Sequence, residues 1–372
     1  MGEFVSSLRS GLSRMLDSED IGLPVIRANN INNGYVDLEN DIKYWYQIDP
    51  MGANTRNYLV AKDDILINFI NSESRMGSAA IMRSIPSRDT IYTTNILRLR
   101  LTSDLDPYWF YIQTQSKLYL EYIKSISKVA VNQASFTTVE FKNFTFFCPS
   151  TKEQTQIGNF FKQLDDTIAL HQRELEKFKI LKTSYLENIF LGKVSLFTAK
   201  NTITWEQRKL GDICNITTGK LDANAMVENG KYDFFTSGIK KYKIDHYAFL
   251  GPALTIAGNG ATVGYMHYAD GFFNAYQRTY VLTELLGDRT FLFSTINRKL
   301  QKKIQQEARA GNIPYIVLDM LTELDIYLPS LEEQTQIGNF FKQLDDTIAL
   351  HQKELAKYQQ IKAACLEKMF VE

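Results

Sequence analysis

A chain of 372 residues with 44% hydrophobic and 12% aromatic side chains can bury two ordinary cores, which excludes disordered and fibrous classes. Lysine plus arginine and aspartate plus glutamate both number 42, so the chain as a whole has no net attraction for nucleic-acid phosphate. It shows no signal peptide and no apolar run of membrane-spanning length, and Cys148, Cys214 and Cys365 are dispersed without a CxxC pair. Buried thiols in a reducing, cytoplasmic compartment are the expectation.

In chain order, residues 1–150 read as a mixed α/β domain. Asp64-Ile-Leu-Ile-Asn-Phe-Ile70 has the continuous apolar character of a buried strand, followed by a polar turn and Gly77. Arg98 to Leu101 is a second strand, Tyr108 to Ser125 is helical, and Phe144 to Phe147 is predicted as a closing strand. A long helix over 151–192 follows, with Ser150 as N-cap, Glu153 completing a capping-box pattern and Gly192 as the C-terminal stop. Its residues Ile157, Phe161, Leu164, Ile168, His171, Leu175, Phe178, Lys182, Tyr185 and Ile189 alternate steps of four and three, which keeps them on one stripe. At ~1.5 Å per residue such a helix spans about 60 Å.

The order then returns. Residues 201–330 form a second α/β domain with a strand at Ala253 to Ala257, a glycine at Gly264, a strand at Thr279 to Leu282, a helix at Thr290 to Glu307 and a closing strand at Leu324 to Tyr327. Residues 331–372 form a second long helix, with Ser330 and Glu333 at its start. Its stripe is Ile337, Phe341, Leu344, Ile348, His351, Leu355, Tyr358, Lys362, Cys365 and Met369.

The segment from Glu153 to Gln172 recurs without substitution from Glu333 to Gln352, each copy behind a Pro-Ser pair. The identity includes polar positions where apolar packing would tolerate exchange. Gln154, Gln156, Asn159, Lys162 and Asp166, with Gln334, Gln336, Asn339, Lys342 and Asp346, are therefore candidate partner-binding residues. A recent duplication is the plainer alternative, but residues 1–148 and 202–328 share a pattern and few residues. Each helix must cover its stripe, and the simplest partner is the other helix. The expected architecture is α+β, with two mixed α/β domains in inverted orientation joined by two long antiparallel coiled-coil helices. His171 and His351 are expected on that seam as a register-setting pair rather than as metal ligands.

Trp205-Glu-Gln-Arg-Lys-Leu-Gly211 opens the second domain, and Pro149-Ser-Thr-Lys-Glu-Gln154 and Pro329-Ser-Leu-Glu-Glu-Gln334 lead into the two helices. In these segments and their paired occurrence the chain resembles the specificity subunit of a Type I restriction-modification system, over nearly its whole length. Gly2-Glu3-Phe4 is the counterpart of Gly211-Asp212-Ile213, and the first domain lacks the Trp-Glu-Gln-Arg-Lys-Leu segment; a longer natural N-terminus, or a trimmed or rearranged gene, is the expectation. The resemblance implies two target recognition domains, 1–150 and 201–330, each reading one half of a split site on double-stranded DNA. The helices, 151–192 and 331–372, would set the spacing and dock two methyltransferase subunits, with restriction subunits joining that core in a bacterial or archaeal cytoplasm. The subunit itself would be non-catalytic and hold no cofactor, with S-adenosylmethionine, ATP and Mg on partner subunits only.

The residues agree in lacking a catalytic constellation. An adenine methyltransferase needs a (D/N/S)PP(Y/F) loop and a Gly-rich cofactor turn, and only Asn312-Ile313-Pro314-Tyr315 approaches the first. Gly258-Asn259-Gly260 with Gly264 reads as a tight turn between strands rather than a phosphate loop. Adjacent carboxylates diverge on a helix, so Asp165-Asp166 and Asp345-Asp346 are expected at solvent or against a partner instead of around a metal. His171, His246, His267 and His351 show no metal-ligand spacing.

Local basic clusters offset the balanced charge: Lys240-Lys241-Tyr242-Lys243 in a loop, Arg298-Lys299 with Lys302-Lys303 on a helix, and Arg9, Arg14, Arg27, Arg75 and Lys117 in the first domain. Bidentate base reading uses Arg for guanine and Asn or Gln for adenine. The candidate DNA-binding residues in turns are Arg9, Ser10, Arg14, Asn29, Asn30, Asn32, Asn71, Arg75, Asn132 and Gln133. In the second domain they are Thr218, Lys220, Ser237, Lys240, Lys241, Lys243, Asn259, Gln277 and Arg278. Two other classes remain open on the residues alone: a repeat-built protein scaffold that never touches DNA, and a nuclease-methyltransferase fragment.

Overall fold

A computed structural model describes residues 1–32, 34–130, 133–190, 205–309 and 315–369. The chain divides into two units. Unit 1 is Met1–His171 with Glu354–Glu372, and unit 2 is Gln172–Lys353. Each unit thus holds one α/β domain, the start of the helix that follows it and the end of the other long helix, so the long helices are shared instead of standing as separate domains.

In unit 1 the main sheet has the order β1 (Val5–Ser10), β7 (Ile96–Leu101), β4 (Ile65–Asn68), β5 (Ala79–Ile81), antiparallel throughout. The apolar run of β4 is buried at every position, as a central strand covered on both faces requires. A second sheet sets β2 (Leu23–Ile26) between β3 (Lys43–Trp45), antiparallel, and β6 (Ile91–Tyr92), parallel. The single helical stretch expected from Tyr108 is two helices, α1 (Pro107–Gln113) and α2 (Lys117–Ile126). The break has a local cause. Ser116 leaves helical geometry and its Oγ accepts the Tyr119 N–H at 3.2 Å, restarting the helix as an N-cap.

Unit 2 repeats the plan with β9 (Asn215–Thr218), β16 (Thr279–Thr283), β13 (Ala253–Ala257) and β14 (Met266–Ala269) in the same order and all antiparallel. Its second sheet sets β10 (Tyr232–Phe235) between β11 (Tyr242–Ile244), antiparallel, and β15 (Phe272–Ala275), parallel, with β12 (Phe249–Leu250) beyond β15. The helix α4 (Arg289–Arg309) is continuous here. Gly77 and Gly264 take φ of +75° and +80° at the turns after β4 and β13, where a Cβ would also strike Ile123 in one unit and Ile304 in the other.

The long helices α3 (Thr151–Phe190) and α5 (Leu331–Met369) start as expected: Ser150 Oγ accepts from the Glu153 N–H at 3.4 Å, and Ser330 Oγ from the Glu333 N–H at 3.3 Å. Within unit 1, Asp165 meets Lys362 and His171 meets Tyr358; within unit 2, Lys182 meets Asp345 and Phe178 meets His351. In both units the helical segments are therefore antiparallel. His171 and His351 each lie 5.5 Å from an aromatic ring of the facing segment, a contact that uses the apolar face of the imidazole. Gly192 lies outside the described residues, as do Asn312 to Pro314.

The closing segments differ. In unit 2, β17 (Asp325–Leu328) is a strand because β8 (Glu206–Lys209) pairs with it, Lys209 opposite Asp325 and Glu206 opposite Leu328. Phe144–Phe147 in unit 1 forms no strand, because among the described residues nothing pairs with it. Cys148, expected to be buried, is exposed at the end of this uncovered segment, while Cys214 and Cys365 are partly buried. Burial pushes the Cys214 thiol up to about 12.

Candidate nucleic-acid interface

Four connections of unit 1 converge on a cleft of about 460 Å³: Leu12–Arg14 after β1, Arg27–Asn29 after β2, Asn71 and Arg75 after β4, and Thr93–Asn95 before β7. Arg14, Asn29, Asn71 and Arg75 are thereby brought together. Arg27 and the Thr93-Thr94-Asn95 turn join them without having been chosen from the sequence as base readers, although run-ending Thr and Asn are the usual signal of such a turn. The cleft is held from below. The Arg14 guanidinium grips Asp49 at 2.5 and 3.1 Å and keeps that carboxyl below the usual carboxylate range, while Arg27 and Asn29 both reach Asp41, at 2.6 and 2.7 Å. Arg75 donates to the Ile31 carbonyl at 3.0 Å.

Other choices land elsewhere. Asn30 is buried: its Oδ1 accepts from the Arg27 N–H at 3.0 Å and its amide donates to the Asn40 carbonyl at 3.0 Å, so it builds the turn and is not available to a base. Arg9 and Ser10 end strand β1 rather than lie in a turn, with Arg9 5.9 Å over the Tyr58 ring. Gln133 is exposed. Asn132 and the side chain of Asn32 lie outside what the structure describes.

The same four connections meet in unit 2. Ser237, after β10, donates to Asn259 Oδ1, after β13, at 2.7 Å; the Gly258 N–H donates to the Arg278 carbonyl, before β16, at 2.8 Å; the Gln277 N–H donates to the Leu221 carbonyl, after β9, at 2.8 Å. Thr218 ends β9 opposite Tyr280, and exposed Lys220 follows. Beneath the loop, His267 is hydrogen-bonded to the Gly238 carbonyl at 3.1 Å, and burial pushes its pKa down. The basic cluster at 240–243 is only half a loop. Lys240 and Lys241 lie over Tyr242 and Phe235 at 5.3 and 5.2 Å, whereas Lys243 is on strand β11 and bonds Asp233 at 2.8 Å. On α4, Lys299 donates to the Asp325 carbonyl at 2.5 Å and so braces the closing strand, while Lys303 donates to that of Met320, in the short helix Leu318–Thr322 before it, at 3.4 Å.

The repeated helix starts have an internal explanation as well as an outward one. Gln154 and Gln334, predicted to bind a partner, are buried: Gln154 Oε1 accepts from the Asp106 N–H at 2.8 Å and Gln334 Oε1 from the Asp288 N–H at 3.0 Å. Their amides donate back to Pro149 at 3.0 Å and Pro329 at 2.9 Å. A Cβ at Gly158 would lie 3.2 Å from Asp106 Oδ1, and one at Gly338 would lie 2.6 Å from Asp288 Oδ1. Phe161 and Phe341 are fully buried beside them. Asp165 is also buried, contrary to expectation, because Lys362 at 2.7 Å and the Tyr108 hydroxyl at 2.8 Å satisfy it; burial, and then the Asp165 charge, push the Tyr108 pKa up. Asn159, Lys162 and Asp166, with Asn339, Lys342 and Asp346, do remain at the surface, as does Gln156, whereas Gln336 is half-buried. Asp166 bonds Arg83, and Asp346 bonds Lys342 at 2.8 Å.

The family model for the Type I restriction modification DNA specificity domain matches residues 11–179 and again 202–360. The chain belongs to that specificity family. The Type I restriction enzyme EcoDI specificity subunit of Escherichia coli is 38% identical over 162 residues, 44% of this chain and 35% of that one. The putative type I restriction enzyme MjaX specificity subunit of Methanocaldococcus jannaschii is 26% identical over 189 residues, 50% and 44% of the two chains. The matches thus span less than half the length of these curated relatives. The fold of this family member is that of the Type I restriction-modification S subunit from M. genitalium, with a TM-score of 0.68 at 17% identity over 98% of this chain and 94% of that one. No described helix is long and apolar enough to cross a membrane.

Proposed function

We propose that this specificity-family chain is a non-catalytic DNA-reading subunit of a Type I restriction-modification complex. Each unit reads one half of a bipartite site through its converging loops, and the two exposed helix starts dock two methyltransferase subunits. The observation that carries the reading is the convergence in both units of the same four connections, whose residue types differ between units while the scaffold beneath does not. Variable loops on a rigid frame are how sequence choice changes without changing the fold. Base edges would be read by Arg75, Asn29 and Asn71 in unit 1 and by Lys220, Asn259, Gln277 and Arg278 in unit 2, with Arg suited to guanine and Asn or Gln to adenine. Methyltransferase subunits would supply most phosphate contacts, which offsets the balanced charge of this chain. S-adenosylmethionine, ATP and Mg would sit on partner subunits, including restriction subunits, in a bacterial or archaeal cytoplasm.

The experiment is methylation mapping with the reconstituted complex. Replacing residues 1–148 with those of another family member should change one half-site and leave the gap alone. Seven helix-forming residues inserted between His171 and Gln172, matched between Lys353 and Glu354, add about 10 Å at ~1.5 Å per residue. The gap should then widen by about three base pairs, since ten span ~34 Å. An unchanged gap, or altered half-sites, would end the ruler reading. Methylation by the chain alone would end the non-catalytic one.

A further inference from the structure

Bidentate reading of adenine uses both ends of an asparagine amide, the oxygen to accept from N6 and the nitrogen to donate to N7. In unit 2 one end of Asn259 is already taken. Its Oδ1 accepts from the Ser237 hydroxyl at 2.7 Å, and among the described residues no acceptor occupies its amide nitrogen. A serine hydroxyl has a single proton, and Ser237 gives it to this oxygen, which sets the amide with its oxygen toward Ser237 and its nitrogen away from it. The turn that carries Asn259 is fixed on each side. The Gly258 N–H donates to the Arg278 carbonyl at 2.8 Å, the Gly258 carbonyl accepts from the Ile316 N–H at 2.8 Å, and the Gly264 N–H closes the turn on the Ala257 carbonyl at 2.7 Å. The turn that carries Ser237 is held as well: the Thr262 hydroxyl donates to the Ser237 carbonyl, and His267 bonds the Gly238 carbonyl at 3.1 Å. Half-buried Asn259 and Ser237 thus form a rigid pair whose remaining polar group is a donor.

Resting on the DNA-reading function proposed above, we propose that Asn259 reads guanine, not adenine, in the second half-site, and that Ser237 sets this choice. At its major-groove edge guanine presents two acceptors, O6 and N7, and no donor, so the N–H bonds of the amide meet acceptors only. Adenine puts its N6 amino group against the amide, donor against donor. The Asn259 oxygen cannot turn to accept from that amino group without breaking its bond to Ser237, so asparagine loses its usual partner. Thymine offers one acceptor beside a methyl group, and cytosine offers an amino donor. Ser237 touches no base in this arrangement. It is a positioning residue that acts through the Asn259 amide.

Methylation mapping with the chain reconstituted with methyltransferase tests this. Asn259→Ala should make one position of the second half-site degenerate, and in the unchanged chain that position should be a G·C pair. Asn259→Asp keeps the oxygen that Ser237 bonds and replaces the donor by an acceptor, so the pair should invert, with cytosine favoured over guanine on the same strand by at least about fivefold, the lower end of what one base contact discriminates. Ser237→Ala frees the Asn259 oxygen, and adenine should then be accepted there beside guanine, a relaxation that loss of packing would not confine to one base. The half-site read by unit 1 should stay the same in every variant, which shows in the same data that the complex is assembled. Where a variant methylates too slowly to map, binding of duplexes carrying each of the four base pairs at that position gives the same answer. An A·T pair there in the unchanged chain, an Asn259→Asp variant that still prefers guanine, or a Ser237→Ala variant with the original specificity would each overturn the proposal. A complex of the unchanged chain that methylates no defined site would instead end the functional reading, so the two failures are distinguishable.

Discussion

The two units spend their identical residues and their divergent residues in different places. Where a long helix begins against its domain, Gln154 and Gln334 make the same bonds, Gly158 and Gly338 allow the same close approach, and Phe161 and Phe341 fill the same space. Where four connections meet at the far end of the main sheet, unit 1 presents several arginines with its asparagines, and unit 2 presents lysine, serine, glutamine, one asparagine and a single arginine. Part of the identity is thus packing under a narrow tolerance, and the exposed remainder, Asn159, Lys162 and Asp166 with their counterparts, is what packing of the helix start leaves unexplained.

That division can be attacked in order of expected effect. Phe161→Ala and Phe341→Ala should each destabilise their own unit by about 3–5 kcal/mol, the usual cost of a large cavity, with the two losses alike in chemical denaturation. A clear inequality would mean that the repeated anchors are not equivalent. Gln154→Leu or Gln334→Leu strands a buried N–H and a proline carbonyl and should cost about 1–3 kcal/mol in either unit. Gly338→Ala should cost about 1–3 kcal/mol by overpacking, because its Cβ would meet the Phe291 backbone nitrogen at 2.9 Å, and Gly158→Ala should cost less, with the matching distance at 3.3 Å. Smallest of all, Lys162→Glu and Lys342→Glu should shift stability by less than about 0.5 kcal/mol, as surface changes do. Each should nevertheless remove one methyltransferase subunit by native mass measurement. A double variant that still binds two would leave the outward identity as a relic of duplication.

Much of this architecture is legible in the residues because it rests on periodicity: the stripes of α3 and α5, their serine caps and the apolar runs of β4 and β13 are each local patterns. Polar burial is not local. The stripe extended back three residues from Ile157 reaches Gln154 and misses Gln156, but that the buried residue there is a polar anchor depends on the Asp106 N–H across the crossing, which no local pattern carries. Asp165 and Asp166 separate in the same way once Lys362 and Tyr108 are placed. The closing strand at Phe144–Phe147 has the right residues for a strand but no neighbour among the described residues, and a strand is a property of a pair. For the cleft, residue type selected Arg14, Asn29, Asn71 and Arg75, but convergence of the four connections is set by strand order, which periodicity does not carry.

Unit 2 is one uninterrupted stretch, Gln172–Lys353, whereas unit 1 needs Glu354–Glu372 to cover its core, where Leu355, Tyr358, Cys365 and Leu366 pack. During synthesis, unit 1 is therefore begun first and completed last. Its apolar surface around Phe161, Leu164 and Ile168 waits uncovered while roughly half the chain is translated, at ~5–20 residues per second. The later-made unit can close first, and a ribosome that stops near Lys353 releases a finished second unit beside an unfinished first.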